Sequence, residues 1–247
     1  MNTTTPTIRT AECSDCKKAY QTTKEFFLLD TCPECAERYD AECREQKRRE
    51  LEETAERTIE GLLPPRFLLT DTGHKAFNRE LWHKVKEWHP TPEKPFLGLV
   101  GETGLCKTRC AYLRLVTVIK TPIAKYRDYP DQLEIENSIE AITASEFAHA
   151  VRFQFSDNGD EARECRRLLK AAQDRKWLLF DDLGKFTNTP AILAALFSVI
   201  DGRHSYNLPT IWTANQDPTL FLASAPADIG APLAGRLVEC STIISVR

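Results

Sequence analysis

Three apolar runs that end in glycine, aspartate or asparagine predict an α/β fold with a parallel sheet. They are Pro95–Val100, which runs into Gly101; Lys176–Phe180, which runs into Asp181 and Asp182; and Pro209–Ala214, which runs into Asn215. Short continuous apolar runs are the signature of strands buried on both faces, as parallel strands are. In open α/β sheets the carboxyl ends of the strands face the ligand, so these polar endings belong to one rim. A further strand is expected at Thr242–Val246, after a Gly235-Arg-Leu-Val-Glu239 segment.

The first run leads into Gly101-Glu102-Thr103-Gly104-Leu105-Cys106-Lys107-Thr108, with a helix-like stretch from Arg109 to Val116 behind it. Strand, glycine-rich turn and helix are the context of a phosphate-binding loop. Backbone N–H groups at a helix start wrap a polyphosphate, and the helix dipole favours its charge. Lys107 would reach the β and γ phosphates and the Thr108 hydroxyl a magnesium ion. The motif wants glycine where this chain has Cys106. A Cβ there crowds the phosphate or strains the turn, which weighs on hydrolysis more than on binding.

The acids after the second run extend the same site. Asp181 suits the magnesium shell, and Asp182 suits the orientation or deprotonation of an attacking water. Asn215 could hydrogen-bond that water or the γ phosphate, although a turn-forming asparagine after a strand is the bland alternative.

Nine cysteines in a chain with no secretory signal point to metal ligation and free thiols instead of disulfides. Cys13-x2-Cys16 and Cys32-x2-Cys35, fifteen residues apart, have zinc-ribbon spacing. Four thiolates close a structural Zn²⁺ site with no open position. Cys43 lies outside the pattern, and Cys110, Cys165, Cys240, Trp82, Trp88 and the histidines read as packing or surface residues. We therefore expect a zinc-binding module over 1–40, a charged linker helix over 41–62 with Leu51, Ala55, Thr58 or Ile59, and Leu62 near helical spacing, and a nucleotide domain over 63–247. Pro64 and Pro65 end the linker helix.

The formal net charge of −3 gives no global attraction to nucleic acid. Residues 1–62 hold ten Lys or Arg against fourteen Asp or Glu, which turns the cysteine module towards protein docking instead of phosphate binding. The longest apolar stretch, Ala191–Ile200, is about half of what a bilayer needs, so a cytoplasmic protein with no membrane association is expected. Arg163, Arg166, Arg167 and Lys170 make a basic stripe on an amphipathic helix over Glu161–Arg175, which fits either a solvated face, the commoner cause, or contact with DNA.

The order of motifs resembles the DnaC/IstB-type AAA+ ATPases, which include bacterial replicative helicase loaders and transposition helpers. The resemblance covers about 63–247 and rests on Pro64-Pro-Arg-Phe67, the phosphate loop, Ile142-Thr-Ala-Ser-Glu-Phe147, Leu179-Phe-Asp-Asp-Leu-Gly-Lys185, Asp201-Gly-Arg203, Pro209-Thr-Ile-x-Thr-x-Asn215 and Gly235-Arg-Leu237. It implies a five-stranded parallel sheet between helices, ATP bound between subunits, and a homo-oligomer. It also implies that Asn215 is the sensor-1 residue and that Arg236 reaches a neighbour's γ phosphate, with Arg203 matching another family arginine. The chain departs from the family at Cys106, in a reduced or absent C-terminal lid, and in the cysteine module. The expected function is an ATP hydrolase that loads a replicative helicase on single-stranded DNA. The alternatives are a helper that serves a transposase and a nucleotide-binding adaptor without turnover.

Overall fold

A computed structural model describes residues 8–22, 31–125 and 138–246. These described residues fall into two compact units, those within Met1–Glu53 and Ile123–Gln132, and those within Thr54–Pro122 and Leu133–Arg247.

In the first unit, β1 (Arg9–Glu12) and β2 (Ala19–Thr22) form an antiparallel pair. Helix α1 follows, and it spans Pro33–Leu62. It starts well before the expected residue 41, so Cys35 lies in its first turn, and its last turns belong to the second unit. Apart from Ala55 and Ile59 it buries few side chains, and ion pairs one turn apart, Glu45–Arg49 and Arg48–Glu52, lie along its surface.

The second unit contains the expected sheet. Its five strands are β3 (Phe96–Gly101), β4 (Ile139–Thr143), β5 (Trp177–Leu183), β6 (Thr210–Ala214) and β7 (Ser241–Val246). They are parallel throughout and ordered β4-β5-β6-β3-β7. The phosphate-loop strand therefore sits between β6 and β7, and the order reverses beside it, where open α/β sheets bind ligands. The helices between the strands are α4 (Lys107–Lys125), α5 (Ala144–Phe153), α6 (Gly159–Asp174), α7 (Pro190–Ser205) and α9 (Ala227–Glu239). The single turns α2 (Pro65–Leu68) and α8 (Pro218–Phe221) and the short α3 (Arg79–Glu87) complete the unit.

Local chemistry sets the boundaries. Thr143 and Glu146 form a reciprocal capping box at the start of α5, and Asn158 accepts from the first free N–H groups of α6. Phe96, Phe180, Trp212, Leu193 and Leu196 are fully buried in one apolar cluster between the sheet and its helices. Trp212 lies opposite Gly98 in the β3–β6 register, and its indole N–H donates to Ser241 Oγ at 2.8 Å, so one side chain spans three strands. A Cβ on Gly98 would lie 2.3 Å from that ring.

Packing this tight predicts a measurable clash. Gly98→Ala should cost about 1–3 kcal/mol of stability in urea denaturation. Adding Trp212→Leu to the same chain should make the alanine nearly neutral, which a double-mutant cycle would show.

Candidate nucleotide and metal sites

The phosphate loop joins the end of β3 to the start of α4, as its sequence context requires. Gly104 adopts φ 91° and Cys106 φ 64°. The second value lies in the left-handed region, where a side chain costs of order 1 kcal/mol or more. The chain keeps the loop conformation and accepts the strain, and the Cys106 thiol reaches the Ala76 carbonyl at 3.6 Å.

Lys107 is 6% exposed, and its ammonium donates to the carbonyls of Gly101 and Glu102, both at 2.7 Å, and to Asn215 Oδ1 at 3.3 Å. Burial pushes this ammonium down from its ordinary value, while the charges of Asp182 and Asp181 oppose the shift. The first and third strand endings therefore meet at one lysine. Asn215 also donates to Thr103 Oγ1 at 3.4 Å.

The second ending meets them through Thr108, whose hydroxyl donates to Asp181 Oδ1 at 2.8 Å. Thr213 donates to the same oxygen at 2.6 Å. Asp181 is 4% exposed. Burial raises its pKa, the two hydroxyls oppose that, and the neighbouring Asp182 charge adds to it. Successive strand residues normally face opposite sides, but β5 is irregular against β6 between Phe180 and Leu183, and Asp182 adopts φ 59°. That bulge lets two consecutive acids serve one rim. The Asp182 N–H is held by Thr213 Oγ1 at 2.9 Å, and its carboxylate pairs with Lys185 at 2.8 Å.

A cavity of about 440 Å³ lies over these groups, lined by Thr103–Arg109, Asp182, Lys185 and Asn215, with Arg66 and Phe67 on its flank. Glu102 is exposed, and with Gly101 it meets Lys107 through its carbonyl. Arg109 turns to Thr70 Oγ1 at 3.1 Å and lies over the Phe67 ring, which stacks on Tyr112. It ties the loop to the Arg66–Thr70 segment. Thr213, Lys185 and Phe67 were not singled out from the sequence as site residues. Thr213 stands on β6 two positions before Asn215, and the other two lie in runs already noted for their resemblance.

Two arginines resolve differently. Arg203 is fully buried, donating to Thr210 Oγ1 at 2.7 Å and to the carbonyls of Ala172, Gln173, Arg175 and Pro209. Burial lowers its guanidinium to about 9. It stitches the end of α6 to the start of β6, at the opposite end of that strand from Asn215. Arg236 on α9 pairs with Asp201 on α7 at 3.1 Å and does not line the cavity. The basic stripe is largely satisfied within the chain. Arg163 pairs with Asp160, Arg167 with Glu164 and Glu140, and Arg166 donates to the Gln154 carbonyl.

In the other unit, Cys13, Cys16, Cys32 and Cys35 place their sulfurs within 4.8 Å of one another. Cys16 and Cys32 sulfurs are 3.7 Å apart. Four sulfurs about 2.3 Å from a central Zn²⁺ would be about 3.8 Å apart, so the donor set fits that ion. Burial alone would raise the Cys13 thiol, but the N–H groups of Cys16, Cys32 and Asp15 outweigh it and hold it at about 6. Burial and the three neighbouring thiols push Cys35 up. A dication at the centre relieves that crowding.

Two outcomes test these sites. Metal analysis of the purified protein should find about one zinc per chain, lost in Cys13→Ser with Cys32→Ser. Asp181→Asn should raise the melting temperature while weakening magnesium-dependent nucleotide binding, because it removes a buried charge. With the folded pKa of Asp181 above its unfolded value, ionisation costs stability as pH rises through that range, so the thermal gain of the variant should vanish towards pH 3.

No family model matches the chain, and no curated protein does. Solved structures do. DnaI aligns at 17% identity over 75% of this chain and 95% of its own, with a TM-score of 0.51. The DnaC helicase loader aligns at 18% identity over 74% of this chain and 100% of its own, with a TM-score of 0.50. A DnaA replication initiator bound to AMPPCP and single-stranded DNA aligns at 15% identity over 75% of this chain and 51% of its own, with a TM-score of 0.50. Among the described residues no helix is long and apolar enough to cross a membrane. The motif order and the sheet order agree: the second unit has an AAA+ P-loop fold like that of DnaI and of the DnaC helicase loader, joined in sequence to a four-cysteine, zinc-ribbon-like module.

Proposed function

We propose that the chain is an ATP-dependent replication protein of the helicase-loader type. The observation that carries this is the meeting of three strand ends at one cavity: Lys107 with Asn215, and Thr108 with Asp181. The donor set suits magnesium triphosphate. Two hard oxygens, Thr108 Oγ1 and a carboxylate, would hold the ion, and the loop N–H groups with Lys107 would hold the phosphates. Asp182 would take the proton of the attacking water and Asn215 would orient it. Arg236, half-exposed and outside this chain's own cavity, would serve a neighbouring subunit's triphosphate in a homo-oligomer.

The fold likeness to the DnaC helicase loader and the charge of the first unit support a protein partner. An acidic, metal-closed module is suited to a protein surface, and a DnaB-type helicase is the assigned partner. Single-stranded DNA is the assigned nucleic acid, by likeness to a DnaA bound to it. Since Arg163 is engaged by Asp160 and Arg167 by Glu164 and Glu140, two of the three α6 arginines contribute little to that contact. A pull-down with ATP that recovers a transposase instead would assign the chain to the transposition helpers.

The left-handed conformation of Cys106 favours a second reading, an adaptor that holds nucleotide without turning it over. Steady-state hydrolysis with DNA and partner present decides. Lys107→Ala should abolish both binding and turnover, and intact binding there would end the site assignment. Cys106→Gly should stabilise the fold by roughly 1 kcal/mol in urea denaturation, the strain of the left-handed residue. Turnover that appears only in Cys106→Gly establishes the adaptor.

A further inference from the structure

The turn that follows β5 folds one residue back onto the acid three positions before it. Lys185 N–H donates to the Asp182 carbonyl at 3.1 Å, and Gly184 takes φ 91° between them. A Cβ at Gly184 would meet Phe221 at 2.9 Å, so the turn is pressed against α8. The Asp182 end is held by the Thr213 hydroxyl. Lys185 Nζ therefore stands 2.8 Å from Asp182 Oδ2 because the backbone puts it there, with both side chains part-exposed to the cavity.

The cavity thus has two ammonium groups in different situations. Lys107 is held by uncharged oxygens, while Lys185 is held by the carboxylate assigned to the attacking water. Lys185 is close enough that its charge adds to the downward push on Lys107. An ammonium bound to Asp182 competes for the oxygen that would take the water's proton. A part-exposed pair of this kind is weakly held. A charge-assisted contact to a phosphate group is a stronger one.

We propose that Lys185 is a nucleotide-responsive positioning residue. Without ligand it holds Asp182, and a bound nucleoside triphosphate draws it to the terminal phosphate, which frees Asp182 to face the water. A diphosphate has no group at that place and leaves the pair closed. This rests on the triphosphate site proposed above.

Calorimetric titration of the full chain with Mg²⁺ and either AMPPCP, the methylene analogue of ATP, or ADP tests it without hydrolysis. Lys185→Met should weaken AMPPCP about tenfold, the loss of one charge-assisted contact, and change ADP by less than about threefold. Lys185→Arg should retain AMPPCP binding. Asp182→Asn should tighten AMPPCP by about threefold or more, since the lysine no longer leaves a charged partner. Lys107→Met should lose both ligands. Equal effects of Lys185→Met on the two nucleotides, or none on either, would overturn the inference and leave the site assignment standing. Wild-type protein that binds neither nucleotide would overturn the site assignment and this inference together. Lys185 is half-exposed, so an unchanged melting temperature should confirm that Lys185→Met is folded.

Discussion

Two threonine hydroxyls that converge on one buried carboxylate oxygen hold the cavity at the strand ends together. Thr108 opens the helix behind the phosphate loop, Thr213 belongs to β6, and both donate to Asp181 at the end of β5. A buried carboxylate with no donors is a heavy cost, and with two it becomes a joint between three elements. The same Thr213 also receives the Asp182 N–H, so the second acid takes its place from the first acid's partner. Lys107, Asn215 and Lys185 are arranged around that joint.

Where structure follows from local pattern, it was legible. Buried parallel strands are apolar runs with polar ends, and those ends mark Lys107, Thr108, Asp181 and Asn215 as neighbours from the sequence alone. Cysteine spacing named the four-sulfur cluster. The start of α1 was not legible in the same way, since Pro33 and Glu34 look like a loop between two ligands. Yet proline suits the first turn of a helix, where its missing N–H is not needed. The bulge at Asp181–Asp182 was likewise invisible, because the register of β5 against β6 is a property of two strands.

Charge was the least legible quantity. Arg203 and Arg236 stand in motifs of equal apparent weight, yet one is a fully buried stitch with five oxygen acceptors and the other is a half-exposed side chain held by Asp201. Three of those acceptors are carbonyls at Ala172, Gln173 and Arg175, about thirty residues away in sequence. No spacing rule can find them. On α6 the stripe of Arg163, Arg166, Arg167 and Lys170 is plain when counted alone, but an acid three positions before Arg163 and another before Arg167 pair with two of its members.

The placement of Cys35 inside α1 has a consequence for the whole thirty-residue rod. Starting a helix is its least favourable step, because several residues must be fixed before the first hydrogen bond repays them. Here Cys32 and Cys35 are brought together by the cluster, and the Cys32 carbonyl already accepts from Ala36 N–H at 2.9 Å. Closed by a metal, that cluster would act as a nucleus for a charged helix that has little apolar surface of its own with which to begin.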